Sequence, residues 1–310
     1  MKKGLGPSGY QPHASTLFIG ILGGILLSLM TVTAQADAPF SISATVFHQP
    51  QANIDGGGKF TLSSAFFRFK MMRPISRTTV VGLSLKFDTD DYDFSGLTEF
   101  GGLDPWNDVR RFGIGIPILL RAGKNWSLGL SPSIDWLQEY GAHSSDSMTY
   151  GSSVFAFNNF TKHKRLGLGA GVFRNVEGDF EGFPFIAVDW RFNERWHLSN
   201  PFEADVLGPA GLELSYNISK HWSIGGGGVY RAFRFRLDDD GIAPNGIGEN
   251  KGIVSFLRLN RSAKSGLELD MYIGATMNGK LELKSSDGSG LTSSDYETAP
   301  FLAITLGGKF

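Results

Sequence analysis

The 310-residue sequence contains no cysteine, which excludes disulfide bridges and thiolate metal sites. Beyond its N-terminal segment it also lacks any apolar run of the roughly 20 residues that a transmembrane helix requires. The longest such run, about residues 114–120, is interrupted by Gly115 and Pro117. Because lipid offers no partners to unpaired backbone groups, a chain of this kind can cross a membrane only as a closed β-sheet.

A strong charge of one sign is missing as well. The chain has 29 basic and 30 acidic residues, and a nucleic-acid partner would require a concentrated basic surface. We therefore expect no nucleic acid. No glycine-rich phosphate loop, zinc-ligand cluster or nucleotide fingerprint is present, and the acidic runs 88–93 and 238–240 match no complete calcium-loop spacing. We expect no cofactor and no metal.

The N-terminal segment has the features of an export signal. Lys2 and Lys3 precede an apolar stretch over residues 17–32, and Ala34-Gln35-Ala36 gives the small-x-small pattern of a signal-peptidase site. We expect residues 1–36 to be a signal peptide, with Sec-type export and cleavage near Ala36. Residues 37–310 would then form the mature protein.

From residue 40 onward, apolar residues recur with a period of two, which indicates β-strands. Clear examples are residues 81–87, 212–218 and 267–275. With their flanking residues, these segments cover about 9 to 12 residues, the length that a tilted strand needs to cross a bilayer. Strands of soluble proteins are nearer 5 or 6 residues.

The connections alternate between short turns and longer polar loops, with the longest loops expected at residues 88–108, 238–250 and 280–297. Bacterial outer-membrane barrels place short turns in the periplasm and long loops outside. The pattern predicts an all-β protein: a closed antiparallel transmembrane β-barrel of about 14 strands, with 12 as the alternative, spanning residues 37–310.

An internal repeat marks several of the short turns. Residues 124–129 and 220–225 share the order Lys, any residue, Trp, Ser, Leu or Ile, Gly, and two partial copies occur elsewhere. Each full copy places Trp first in the strand that leaves a turn. Indole rings favour membrane boundaries. The predicted periplasmic aromatic girdle consists of Trp126, Trp196 and Trp222.

The last strand ends in a terminal aromatic residue. Leu302, Ile304, Leu306 and Phe310 share one face of an alternating segment, with Gly308 standing where a bulky residue is common. This looks like the C-terminal sorting signal of outer-membrane barrels. It implies the barrel-assembly machinery as a partner of the last strand, and outer-membrane lipid and lipopolysaccharide as the surroundings.

Residues 40–310 as a whole resemble one of the uncharacterised families of Gram-negative outer-membrane β-barrels, which are known as domains of unknown function. The resemblance rests on the repeated turn-Trp-Ser-Leu/Ile-Gly segments, the glycine run Gly225–Gly228 and the terminal strand. The resemblance implies the barrel fold and location in the cell outer membrane. It implies no activity.

Alternation also predicts which charged residues point into the barrel, with Arg231 falling on the opposite face. If basic and acidic strands are neighbours, their charges would line a water-filled constriction. If the same charges pair, they would instead plug a closed lumen. The predicted lumen-lining residues are Arg68, Lys70, Lys86, Asp189, Arg191, Arg234, Arg236, Arg258, Glu268 and Asp270.

Three functions follow from these patterns. The first is a passive, porin-like channel for small polar solutes, and the second is a closed structural or loop-binding barrel without transport. The third is a lipid hydrolase, since His197-Leu198-Ser199-Asn200 contains the His-x-Ser-Asn pattern of outer-membrane phospholipases. In a strand, His197 and Ser199 share a face, but that face is predicted to point inward, away from lipid. We therefore expect a channel with no catalytic residues.

Overall fold

A computed structural model describes residues 40–200 and 210–310 of the chain, so the predicted signal peptide lies outside the described residues. Among the described residues, no helix is long and apolar enough to cross a membrane. One 3-10 helix, Phe100–Gly102, lies between the third and fourth strands. The strands are β1 (Phe40–Asn53), β2 (Lys59–Pro74), β3 (Thr79–Ser95), β4 (Asp108–Gly115), β5 (Ile118–Ala122), β6 (Trp126–Glu139), β7 (Met148–Thr161), β8 (Lys164–Arg174), β9 (Phe180–Arg191), β10 (Trp196–Ser199), β11 (Ala210–Asn217), β12 (Trp222–Arg236), β13 (Ile247–Ser262), β14 (Leu267–Lys284), β15 (Gly290–Tyr296) and β16 (Ala299–Lys309).

The strands close into one antiparallel barrel. β4 and β5 follow one another between β3 and β6, and β15 and β16 follow one another beside β14, so the sixteen segments make fourteen barrel strands. Closure is made by β1 and β16, which pair from Ser41–Lys309 to His48–Leu302. The predicted closed barrel of about 14 strands is confirmed.

The two ends of the barrel differ, as the sequence predicts. Short turns at residues 75–78, 123–125, 162–163, 192–195, 218–221 and 263–266 lie at one end, called here the turn end. The longer connections lie at the other, the loop end. These loops are shorter than expected: residues 88–95 belong to β3 and residues 247–250 to β13, because both strands continue into the predicted loops.

Contacts between distant strands identify the inward face. Arg231 of β12 lies 5.9 Å from the ring of Phe47 on β1 and 3.9 Å from Asp90 on β3, neither of which neighbours β12. These side chains therefore meet inside the barrel. The opposite face carries exposed apolar residues around the whole wall, Leu168, Leu257 and Leu302 among them. An apolar surface of that extent is tolerated in lipid and not in water.

The sheet closes a second time near the loop end. β6 continues past its last pair with β7, and β12 continues past its last described pair with β11, until Gln138 and Arg236 meet in a parallel bridge. A second bridge, between Ile54 and Tyr296, joins the end of β1 to the end of β15 on the other side of the loop end. A narrower barrel results, made of β1, β2, β3, β4, β6, β12, β13, β14 and β15.

Apolar side chains fill this narrower barrel. Phe60, Leu62, Phe235 and Leu281 from three of its strands are fully buried. The loop between β3 and β4 adds Trp106, which is 1% exposed and packs edge-on against Tyr92, Phe94 and Phe235. The loop end of the barrel therefore has a hydrophobic core like that of a soluble protein.

Candidate functional site in the open part of the lumen

Solvent reaches the inward face of the barrel unevenly. Toward the loop end, the inward residues of β1 and β2 are buried beside the hydrophobic core, and we call this the filled side of the lumen. Examples are Thr45, Phe47 and Ser64. On β7, by contrast, the inward residues Thr149, Gly151, Ser153 and Phe155 are only half-buried at comparable heights. We call the space beside β7, β8 and β9 the open half of the lumen.

Phenylalanine rings line the open half. Phe173 and Phe183 are stacked with their ring centroids 6.2 Å apart, Phe183 and Phe185 follow at 6.3 Å, and Phe155 meets Phe157 edge-on at 5.4 Å. All five residues alternate inward on their strands. Four of them are half-buried and Phe157 is buried. They are called here the phenylalanine strip.

Glycines on the neighbouring strands hold these rings flat against the wall. A Cβ placed on Gly169 would overlap the ring of Phe185, and one placed on Gly129 would overlap the ring of Phe155. At Gly171 the ring of Phe183 would be 2.6 Å away. The inward glycines thus leave space that the rings occupy, so the rings do not project across the lumen.

At the turn end the strip meets a charged cluster. Arg165 lies 5.5 Å from the ring of Phe157 and forms an ion pair with Asp189. The other oxygen of Asp189 is 2.8 Å from His197 Nε2. Arg191 is the exposed inward residue paired with His197 across β9 and β10. We call Arg165, Asp189, Arg191 and His197 the Asp189 cluster.

Two further ionic networks occupy the inward face. Arg68 forms an ion pair with Asp88, and Arg111 Nη2 lies 2.8 Å from Asp135 Oδ1. On the opposite wall, Arg258 lies 2.5 Å from Glu213 and 2.8 Å from Asp270. These charges pair mostly along one wall, which gives each a partner in place of bulk water.

The structure corrects the predicted position of two arginines. Phe233 and Phe235 point into the core, so Arg234 and Arg236, which alternate with them, lie on the outer face of the narrower barrel. Arg231 is the inward arginine of this strand. The prediction that Arg234 and Arg236 line the lumen is therefore wrong.

Arg236 instead holds loops together. Its guanidinium donates to the backbone carbonyls of Asp146 at 3.1 Å, Asn245 at 2.8 Å, Ser286 at 3.3 Å and Val176. These four residues belong to four different loops. Its neighbour Arg234 lies 2.5 Å from Glu177 in the β8–β9 loop and 3.2 Å from Glu249.

The remaining predicted lumen residues lie on the inward face. Lys70 and Lys86 follow Arg68 in the β2–β3 register, and Glu268 lies two residues before Asp270 on β14. Glu268 is 3.8 Å from Lys309. These positions are near the turn end, where solvent reaches the inward face on every side.

The His-x-Ser pattern acquires a third residue but no complete triad. Asp189 hydrogen-bonds His197, and Ser199 faces Asp189 in the strand register. No hydrogen bond joins Ser199 Oγ to His197 within residues 40–200 and 210–310. A triad is recognised by such geometry. Across the same ranges, no three potential ligands of the His, Cys, Asp or Glu type group as a metal site.

The predicted boundary residues point outward. Trp126, Trp196 and Trp222 begin strands at the turn end and are 47%, 40% and 38% exposed. In the last strand, Ile304 points outward while the ring of Phe310 packs 5.6 Å from that of Phe40. Gly308 leaves space for this ring, since a Cβ there would be 2.7 Å from it. The girdle and the sorting signal stay predictions.

No family model matches the chain, and no curated protein matches it. Among solved structures, an outer-membrane channel from Pseudomonas putida F1 is similar with a TM-score of 0.50 and 9% identity, over 90% of this chain and 98% of that one. A FadL homologue from Pseudomonas aeruginosa gives 0.47 and 11%, over 88% and 91%. The Pseudomonas putida toluene transporter TodX gives 0.43 and 7%, over 89% and 91%. At these identities the likeness concerns the fold, that of an outer-membrane-type β-barrel.

Proposed function

We propose that this chain is an outer-membrane channel through which small solutes diffuse along the open half of the lumen. The turn end would face the periplasm and the loop end the exterior. The observation that supports the proposal is the solvent accessibility of the inward residues of β7, at heights where inward residues of β1 and β2 are buried. A barrel without transport would have no need to leave one side unfilled.

Both ends of the open half are accessible to solvent. Glu181, at the loop end of β9, has a 64% exposed side chain, and Arg165, at the turn end of β8, has a 46% exposed side chain. Between them, the guanidinium of Arg165 lies 5.5 Å from the ring of Phe157. The charged groups at the turn end support polar solutes, as the sequence predicts. The phenylalanine strip adds an apolar surface.

The absence of native cysteine allows a direct test by single-cysteine labelling. Ser153 points into the open half, whereas its neighbour Ser152 points outward on the same strand. In planar bilayers, a sulfonate-bearing thiol reagent should reduce the single-channel current of Ser153→Cys. The same reagent should leave Ser152→Cys unchanged.

A third variant distinguishes the two halves of the lumen. Thr45 also points inward, but it is 5% exposed and lies on the filled side. Thr45→Cys should therefore resist labelling. Inserted protein that never conducts would contradict the channel and favour the closed structural barrel, for which the paired lumen charges are the supporting observation. Labelling that blocks Thr45→Cys equally would place the solute path elsewhere.

A further inference from the structure

We propose that the outer wall of the barrel binds an anionic phospholipid at the turn end, with its phosphate beside Trp222 and one acyl chain along the glycines of β12. This inference goes beyond the proposed channel, because it concerns the lipid-facing wall and does not depend on conduction. Three features carry it: the charges of the connections, the cations around Trp222 and the shape of the wall above that residue.

The short turns and the longer loops carry opposite charges. Each of the six turns at the turn end has one exposed lysine or arginine, and Glu194 is the single acidic residue in these turns. The six cations are Arg77, Lys124, Lys162, Arg195, Lys220 and Lys264. Six loop-end connections are described in full, and together they contain ten Asp or Glu residues and neither Lys nor Arg. These connections are residues 54–58, 96–107, 140–147, 175–179, 237–246 and 285–289. The turn end therefore attracts an anionic lipid surface, and the loop end does not.

The cations at the turn end lack carboxylate partners. Within residues 40–200 and 210–310, none of the six turn cations forms an ion pair, in contrast to Arg68 and Arg258 of the inward face. Arg261, on the outer face of β13, also has no ion pair in those ranges, and its guanidinium lies 5.5 Å from the ring of Trp222. Cations at a membrane boundary that no protein carboxylate neutralises are available to lipid phosphates.

Two neighbouring turns place three of these cations on one part of the rim. The backbone N–H of Ser262 donates to the carbonyl oxygen of His221 at 2.9 Å, and His221 Nδ1 lies 3.1 Å from the carbonyl oxygen of Ser262. The turn between β11 and β12 therefore contacts the end of β13. The cations next to this contact are Lys220, Arg261 and Lys264.

Above Trp222 the outer wall has a groove along β12. Gly226 and Gly228 face outward there, the first between Leu214 and Leu257 and the second beside Leu212 in the strand register. All three leucines are at least 40% exposed. A Cβ placed on Gly228 would meet no atom closer than 3.6 Å. The two glycines thus leave a shallow channel in an otherwise apolar, leucine-lined surface.

The length of the groove matches one leaflet. Gly228 lies six residues from Trp222, which is roughly 20 Å along the strand at about 3.3 Å per residue. At a strand tilt of about 40°, this corresponds to a depth of roughly 15 Å, half of the hydrocarbon core of a bilayer. An acyl chain whose headgroup lies at the rim would therefore follow the groove to its end.

A ligand that uses both the rim and the groove must be amphiphilic and anionic. Guanidinium and ammonium groups bind phosphate oxygens through charge-assisted hydrogen bonds, and an indole ring favours the boundary between them and the acyl chains. A soluble anion would contact the rim alone. A zwitterionic phospholipid would fill the groove but add no net charge to the cations. In the orientation proposed above, the lipid belongs to the periplasmic leaflet.

Native mass spectrometry of the folded, detergent-solubilised protein tests the proposal. The probes are phosphatidylglycerol, phosphatidylcholine with the same acyl chains, and glycerol 1-phosphate, which lacks the chains. We expect phosphatidylglycerol to bind at least about fivefold more tightly than either, with a preference over phosphatidylcholine that shrinks as ammonium acetate is raised. Equal binding of the two lipids would overturn the proposal, as would equal binding of glycerol 1-phosphate.

Matched variants locate the phosphate. Arg261→Gln should weaken phosphatidylglycerol binding by about threefold to fivefold and leave phosphatidylcholine binding unchanged, because only the charge is lost. Lys280→Gln removes one outward cation at the loop end and should change neither. If Lys280→Gln lowers the affinity as much as Arg261→Gln does, the proposed phosphate position is wrong.

A second pair of variants locates the acyl chain. Gly228→Leu fills the groove and should weaken the binding of both lipids by about fivefold or more. Gly182→Leu, at an outward glycine of β9 where an added Cβ also meets no atom closer than 3.6 Å, is the control and should not. Unchanged binding by Gly228→Leu would refute the groove.

This proposal and the channel fail in distinguishable ways. A protein that conducts but binds both lipids equally would overturn the lipid site and leave the channel. A protein that prefers phosphatidylglycerol at this site yet never conducts would overturn the channel and keep the lipid site. Heat-modifiable gel mobility, which reports the folded barrel, should accompany each variant.

Discussion

Phe185 of β9 lies with its ring against Gly169 of β8, the residue that pairs with it across the two strands. A side chain at residue 169 and the ring in its present position exclude one another. Gly169→Ala should therefore push the ring of Phe185 into the open half and reduce single-channel conductance, by roughly half or more. Planar-bilayer recording at fixed salt measures the effect.

A second substitution tests the cause of that reduction. Gly169→Ala combined with Phe185→Ala should conduct at least as well as the unmodified protein, because the displaced ring is gone. Gly182→Ala, on the outward face of β9 with its nearest neighbour 3.6 Å away, is the matched control and should have no effect. Reduced conductance that survives removal of the ring would refute this explanation.

Trp106 should contribute to stability and not to transport. It is 1% exposed in the filled barrel, and removal of a buried large side chain typically costs about 3–5 kcal/mol when alanine replaces it. Trp106→Leu, a smaller change, should lower the free energy of unfolding by about 2–3 kcal/mol. Urea unfolding in detergent measures this loss. Conductance should stay unchanged, and a large change in conductance would place the solute path on the filled side.

Arg236 should control the order of the connections at the loop end. Lysine retains the charge but not the planar fork that reaches four carbonyl oxygens. Arg236→Lys should therefore raise amide hydrogen exchange in residues 140–147 and 175–179 by about tenfold for each charge-assisted hydrogen bond lost. Arg121→Lys, at an exposed site on β5, is the control. Unchanged exchange would mean that the loops are held by other contacts.

Asp287 makes the pH response of one loop predictable. Hydrogen bonds from Ser285 Oγ at 2.6 Å and from the backbone N–H of Ser289 at 3.0 Å hold the pKa of this exposed carboxyl at about 2. A depressed pKa stabilises the folded loop above the unfolded value, about 3.9, and that stabilisation is lost as pH falls through 2. Ser285→Ala should raise the pKa toward 3.9 in a carboxyl-carbon NMR titration. Ser286→Ala should leave it unchanged.

The sequence predicts the barrel because membrane strands alternate with a strict period, but it does not reveal where the membrane ends. Residues 280–284 alternate Lys, Leu, Glu, Leu, Lys, and their charge favours a loop. In the structure they are strand, with Leu281 and Leu283 in the core and the charged residues facing outward. Period-two alternation was visible there. In the narrower barrel the apolar residues of this alternation point inward and the charged residues outward. In a strand surrounded by lipid, the apolar residues point outward.

The same reversal explains the misplaced arginines and the missed phenylalanines. The assumption that charges point inward and apolar groups outward placed Arg234 and Arg236 in the lumen. Phe155 and Phe185, being apolar, are absent from the predicted lumen-lining residues. A local signal for the strip does exist, since Gly167, Gly169 and Gly171 alternate on one face of β8 and leave room for large neighbours. Which large residues use that space depends on the register between strands, and the register is a property of the fold.

The bridge between Gln138 and Arg236 has an evolutionary consequence. Near the loop end, β1–β4, β6 and β12–β15 surround the hydrophobic core among themselves, and β7–β11 connect β6 to β12 outside it. Substitutions that reshape the bore fall on strands that contribute little to the hydrophobic core. Substitutions on those strands can therefore accumulate while the fold keeps its margin of stability.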